Sequence, residues 1–268
     1  MTAETGTGAN EGGATARRSY RIDAVARSLT VLEFLGRQPD SGVTAIAEAT
    51  GLTKTVVFRI LHTLEEAGFV QREDERASYS LGYRIAVLGE RVGRKGALLH
   101  VAAPLLDRLR DATGENVNLV VREGTTAVAI ATREGTHPIR LFAQSGRRGP
   151  LHAGGASQIL LAHADPSIRD SVLAAPLERY TPHTIADRPT LEAKLDLIAR
   201  QGFNVALNDL DDGAFSVSAP VRDGAGNVIA GLSVAGVSAR LDEVHRARYV
   251  DAVRAAADGI SAKLRYAG

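Results

Sequence analysis

Apolar residues recur every three or four positions between Ile22 and Leu35, with Val25, Leu29, Leu32 and Leu35 in one row. This spacing predicts an amphipathic helix, closed by Gly36 and Pro39. A second, short helix fits residues 44–50. Gly51 then supplies a turn, because glycine adopts a positive φ at little cost. Thr53 is placed to cap a third helix, from Lys54 to about Ala67, with Gly68 as its stop. Two β-prone runs at 69–72 and 78–81, joined by the polar stretch 73–77, predict a hairpin. Ile85, Leu88 and Val92 space a further helix. A longer one is expected over 98–109, with Pro104 inside its pattern as a candidate kink.

The pattern then changes character. Residues 117–121 and 126–132 predict neighbouring strands around Glu123-Gly124, and 146–155 is a Gly/Arg-rich loop that leads into a helix at about 156–164. A helix opened by Pro189 runs over 190–200, and a strand fits 203–207. Two further β runs, 216–222 and 228–237, flank the turn signal Asp223-Gly224-Ala225-Gly226-Asn227. A last helix is expected over about 240–263. Mixed helices and strands of this kind indicate an α+β domain around one sheet.

Composition narrows the function classes. A chain of 268 residues with 44% hydrophobic and 24% charged positions is an ordinary globular sequence, long enough for two domains. The absence of cysteine excludes disulfides, iron–sulfur clusters and thiol catalysis. No run approaches the ~18 apolar residues of a membrane span, and no signal-peptide pattern opens the chain, so a cytoplasmic protein without a membrane partner is expected. Net charge is +1, and the positive excess sits in the N-terminal third: residues 17–96 carry 13 basic and 10 acidic side chains, whereas 97–268 carry 19 of each. Residues 1–19, rich in Gly, Ala, Thr and Glu, predict a disordered tail ending in Arg17 and Arg18.

The strongest single signal is the segment from Val43 to His62. As a helix-turn-helix, Ile46 faces the core, small Ala47 lets two helices cross, Gly51 turns the chain, Leu52 plugs the corner, and Val57, Ile60, Leu61 and Leu64 form the buried stripe. The opposite face then presents Lys54, Thr55, Phe58, Arg59 and His62, after the cap Thr53. Such a face can enter a major groove: Arg59 suits guanine O6 and N7, and Lys54 with the helix N-terminus suits phosphate. The hairpin that follows completes a winged helix, with Arg72 and Arg76 as candidate phosphate contacts on double-stranded DNA.

From about residue 22 onward the chain resembles the IclR family of bacterial transcriptional regulators. The resemblance is carried by Ala26–Leu35, Leu52–Leu61, Gly68-Phe-Val70, Tyr79-Ser-Leu-Gly-Tyr83, Gly146–Ala153, Ser218–Asp223 and Gly231-Leu-Ser-Val-Ala-Gly236. It implies an N-terminal winged helix-turn-helix domain (20–82), a linker helix (83–96) and a C-terminal GAF-like α/β effector-binding and oligomerisation domain (97–268). It also implies a homodimer or homotetramer on operator DNA, and a small organic acid or aromatic metabolite as effector. The family's effector positions fall on Gly155 and Ala156 at a helix start, and on Ser216, Ser233 and Ala235 in the sheet. Three departures stand out. The family's acidic position falls on Ala206, so that Asp209, Asp211 and Asp212 read as surface charges. Ser216 replaces a frequent Cys. Gly149 stands where a large apolar residue often precedes the proline, which predicts room for an effector larger than a two- or three-carbon acid.

Nothing points to catalysis. The seven histidines lack metal-ligand spacing, and no nucleophile elbow, Walker loop or dinucleotide fingerprint occurs. His152 reads as a loop histidine bonded to backbone. No cofactor or metal is expected. The competing reading is a small-molecule sensor whose helix-turn-helix serves dimerisation rather than DNA.

Overall fold

A computed structural model describes residues 22–73, 75–90, 94–141 and 144–266. The expected tail 1–19, with Arg17 and Arg18, lies outside the described residues. The chain divides into two compact units, with the boundary between Arg91 and Val92.

In the first unit, α1 (Asp23–Arg37), α2 (Val43–Thr50) and α3 (Lys54–Glu66) pack around Val31, Phe34, Leu35, Ile46, Ala47, Val57 and Leu61. A short strand β1 (Ser41–Gly42), which sequence patterning missed, joins β2 (Val70–Glu73) and β3 (Ser78–Leu81) in an antiparallel sheet of order β1-β3-β2. Val70 and Tyr79 carry this sheet into the helical core. The turn between α2 and α3 runs through Gly51 at φ 69°, as its glycine requires. Thr53 caps α3, its hydroxyl accepting from the Val56 N–H at 3.4 Å. One expectation is corrected. Leu35 is buried and Leu32 packs against the core as expected, but Val25 and Leu29 are exposed, and Val31 and Phe34 are buried in their place. A fourth helix, α4 (Tyr83–Glu90), follows β3.

In the second unit, α5 (Arg94–Thr113) runs through Pro104 and precedes β4 (Asn116–Glu123) and β5 (Thr126–Arg133). Inside the Gly/Arg-rich loop lies a short strand, β6 (Arg148–Pro150). It is followed by α6 (Gly155–Ala162), α7 (Pro166–Ala174), α8 (Arg188–Gln201), β7 (Asn204–Leu207), β8 (Ala214–Arg222), β9 (Val228–Val237) and α9 (Glu243–Tyr266). The sheet is antiparallel throughout, in the order β6-β5-β4-β9-β8-β7.

Strand alternation sorts its two faces. Val117, Leu119 and Val121 on β4, Val217, Ala219 and Val221 on β8, and Leu232 and Val234 on β9 point toward α5 and α9, where Leu106, Tyr249, Val253 and Ile260 complete one core. The other set of positions carries Asn116, Asn118, Ser216, Ser218 and Ser233, a polar face that no sheet would bury without partners. On that side α6 lies between the sheet and α8, and Ile159, Leu160, Leu191, Leu195 and Ile198 form the second core.

Candidate DNA interface and effector cavity

Every DNA-contact candidate of α3 is exposed, while Val57 and Leu61 are fully buried. Lys54 and Arg59 form no ion pair among the described residues, which leaves both charges for a partner. Phe58 is 49% exposed, an unusual place for a large aromatic, and its ring stands edge-on to His62 at 6.5 Å. His62 also approaches Glu66 of its own helix, at 3.6 Å. In the wing, the Arg72 guanidinium lies over the Tyr79 ring at 5.9 Å, and Arg76 is exposed in the turn between β2 and β3. Together α3 and the wing turn present basic and hydroxyl groups on one compact unit.

The second unit holds a cavity of about 610 Å³ between the polar sheet face and the start of α6. All six positions expected to meet the effector line it: Gly149, Gly155, Ala156, Ser216, Ser233 and Ala235. Gly155 permits the close approach, since a Cβ there would stand 2.5 Å from the hydroxyls of both Ser216 and Ser218. These two hydroxyls are 3.1 Å apart. A Cβ at Gly149 would meet nothing within 4 Å, so the missing side chain leaves open space. Small residues, including Ala127, Ala129, Ala156 and Ala235, account for much of the remaining apolar wall.

Ser157 and Ser233 also line the cavity, and both side chains are more than nine-tenths buried. Neither hydroxyl has a hydrogen-bond partner among the described residues. Each hydroxyl can both donate and accept a hydrogen bond. The first residues of α6, Gly155 and Ala156, line the same space, and the first N–H groups of a helix have no partner within it.

Asp209 corrects the sequence reading. It is half-buried and lines the cavity; Asp211 also lines it but is exposed, and Asp212 is an exposed charge as expected. Its Oδ2 accepts from the Gly154 N–H at 3.0 Å and from the Gln158 amide at 3.2 Å. Gln158 in turn donates to the His152 carbonyl at 2.9 Å and accepts from Asn204 at 2.8 Å. The loop that presents Asp209 is pinned by hydroxyls: Thr184 bonds the Asp209 carbonyl at 2.6 Å and Thr181 the Asn208 carbonyl. Burial pushes the Asp209 carboxyl above its usual value, against the Gly154 N–H and the Lys194 charge, which pull it down. Ala206, where the acid was expected, is buried in β7 opposite Ser216. His152 bonds the Glu178 carbonyl at 2.9 Å, the backbone role expected of it.

At the cavity mouth Arg147 faces Asp211 at 3.4 Å, and Arg148 bonds Glu123 at 2.9 Å. Both cations are thus partly compensated. No cluster of three or more His, Asp or Glu side chains able to hold a metal occurs among the described residues.

Comparison with known proteins bears on both units. The IclR helix-turn-helix domain matches residues 24–74, and the domain described as bacterial transcriptional regulator IclR C-terminal matches 92–262. The chain is 30% identical to the HTH-type transcriptional regulator KipR of Bacillus subtilis, over 90% of this chain and 97% of that protein. Among solved structures, the Thermotoga maritima IclR superposes with a TM-score of 0.70 at 27% identity, covering 92% of this chain and 100% of that one. An IclR homologue from Microbacterium hydrocarbonoxydans, complexed with 4-hydroxybenzoate, gives 0.69 at 27% identity, covering 91% and 99%.

Proposed function

Because this chain belongs to the IclR family, whose members are helix-turn-helix transcriptional regulators with an effector-binding C-terminal domain, we propose that it is a cytoplasmic, ligand-responsive regulator of a catabolic pathway. It reads a two-fold symmetric operator through α3 and holds its effector in the cavity between α6 and the sheet. The observation that carries the reading is the face of α3. Lys54, Thr55 and Arg59 stand exposed and uncompensated above a fully buried stripe.

The effector is a small organic acid or an aromatic metabolite. The α6 N–H groups and the vacant Ser157 and Ser233 hydroxyls support an oxyanion end, and the open space at Gly149 supports a body larger than three carbons. The 4-hydroxybenzoate of the Microbacterium homologue is a ligand of this size.

The chain works as a homodimer or a pair of dimers. Ile22, which caps α1, and Val25 and Leu29 on it are exposed apolar residues. They offer a surface for self-association that leaves the recognition helix free for DNA. Lys54→Ala and Arg59→Ala test the interface. If Lys54 holds a phosphate, its loss weakens binding to all duplexes and reduces the log–log salt slope by about one unit. Loss of Arg59 costs about 1–3 kcal/mol on the specific site and relaxes preference at one base pair. Equal losses on specific and random DNA for Arg59→Ala contradict base reading.

A further inference from the structure

The cavity contains a carboxylate that the oxyanion account leaves without a task. Asp209 spends one oxygen, Oδ2, on Gly154 and Gln158. The other, Oδ1, is bonded to no side chain among the described residues; the backbone N–H groups of Asp209 itself and of Leu210 also act on the carboxylate, which still has acceptor capacity for a further partner. The positions of Gly154, Gln158 and the Thr181–Thr184 pair fix this carboxylate against the cavity.

Its presence makes a simple acid a poor ligand. A second carboxylate held at the start of α6 would share a partly desolvated space with Asp209, and like charges so placed repel. Arg147 and Arg148, the cations at the mouth, are already engaged with Asp211 and Glu123, and the Lys194 charge offsets the burial of Asp209 only in part. A ligand that brings its own hydrogen-bond donor to Oδ1 turns that repulsion into an attraction. The vacant Ser157 and Ser233 hydroxyls meanwhile serve the ligand's acid end.

Resting on the effector reading above, we propose that Asp209 is the specificity-determining residue of the cavity and selects carboxylic acids that also carry a hydroxyl or ammonium donor. Acids without such a donor are rejected. A polar site that pairs with a ligand donor discriminates strongly against the analogue lacking it, because its own acceptor is then left unpaired.

The experiment uses the full chain and two matched sets of probes: 3-phenylpropanoate, 3-phenyllactate and phenylalanine; and butanoate, 3-hydroxybutanoate and 3-aminobutanoate. Titration calorimetry gives affinities for the native chain, Asp209→Asn and Asp209→Ala. Thermal melting confirms that each variant is folded. Asp209→Asn keeps an acceptor for Gly154 and Gln158, so the reasoning stays testable if the alanine variant does not fold. In at least one set a donor-bearing member should bind about tenfold or more tightly than its parent acid, and the preference should fall below about threefold in Asp209→Asn. Preference for the hydroxyl or for the ammonium member identifies which donor is used. Equal binding of the parent acids, a preference that survives in Asp209→Asn, or no binding by any donor-bearing probe overturns the proposal. Sequence-specific DNA binding, measured on the same preparation without probes, separates these failures from failure of the regulator reading.

Discussion

Replacing Arg240 by Ala strips the arginine partner from a fully buried carboxylate. Glu115, at the junction of α5 and β4, is 0% exposed, and Arg240 grips it through Nε and Nη2, each at 2.6 Å. His137 Nε2 stands 3.7 Å from the same carboxylate, too far to replace those bonds. The truncation also removes the bond from Arg240 to the Ile139 carbonyl at 3.0 Å. Leaving a buried charge unpaired costs about 3–5 kcal/mol. For a domain of this size each kcal/mol lowers the melting temperature by about 2–4 °C, so the expected drop is about 6–20 °C. Arg246→Ala is the internal control. Its pair with Glu243 spans 3.5 Å between side chains that are 50% and 90% exposed, and such a pair is worth about 0–1 kcal/mol. Differential scanning calorimetry of the full chain reads both variants, and Glu115→Met combined with Arg240→Met should recover most of the loss. A drop for Arg240→Ala no larger than that for Arg246→Ala refutes the reasoning. The consequence reaches the cavity through the next residue. The Asn116 amide joins the two ends of the following loop, donating to the Leu141 carbonyl at 2.8 Å and accepting from the Gly135 N–H at 2.7 Å. Leu141 lines the cavity.

Further outcomes follow from the site. The Asp209 carboxyl is raised above 3.8 by burial, so between that value and its folded value the native state binds more protons than the unfolded chain, and stability falls as pH rises through this window. Asp209→Asn should therefore melt no lower than the native chain at pH 7.5, with its relative advantage shrinking as the pH approaches 4; a variant that loses stability at neutral pH argues against a carboxylate kept at a cost. Gly155→Ala places a Cβ 2.5 Å from two serine hydroxyls and should lower stability by about 1–3 kcal/mol, a loss that Ser216→Ala with Ser218→Ala partly relieves. Gly149→Leu fills open space at the cavity wall; it should weaken binding of the aromatic probe acids more than that of the four-carbon ones, and unchanged affinity for both counts against a role for that space. Phe58, exposed on the recognition face, suits a thymine methyl. Replacing individual thymines of the operator by uracil should weaken binding at one position or more in the native chain, and Phe58→Ala should be indifferent to the change.

The parts of this structure that were legible in the sequence are those set by local rules. The turn at Gly51, the Thr53 cap and the buried stripe of α3 are each encoded within a few residues, and the polar face of α3 is simply the remainder. The first helix shows where periodicity runs out. The row Val25, Leu29, Leu32 and Leu35 reaches the core only in its second half, where Val31 and Phe34 join it, and spacing alone does not say where the row leaves the core. The cavity was legible only in part. Gly155, Ala156, Ser216, Ser233, Ala235 and Gly149 came from family resemblance and do converge. Asp209 did not, because three acids within four residues look alike until the Thr181 and Thr184 hydroxyls pin one of them inward. Ser157 gave a weak signal as a serine in the first turn of a helix opened by glycines. Gln158 and Asn204, which bond across the interior from α6 to β7, gave none.

The most direct test of the regulator account is selection of bound duplexes from a random pool by the purified full chain at moderate salt. The proposed two-fold symmetric assembly predicts an inverted repeat whose half-sites lie about one helical turn, or a multiple of it, apart. Binding that enriches no sequence and vanishes as salt rises would mean phosphate contact alone, and would contradict sequence reading by Arg59 and its neighbours.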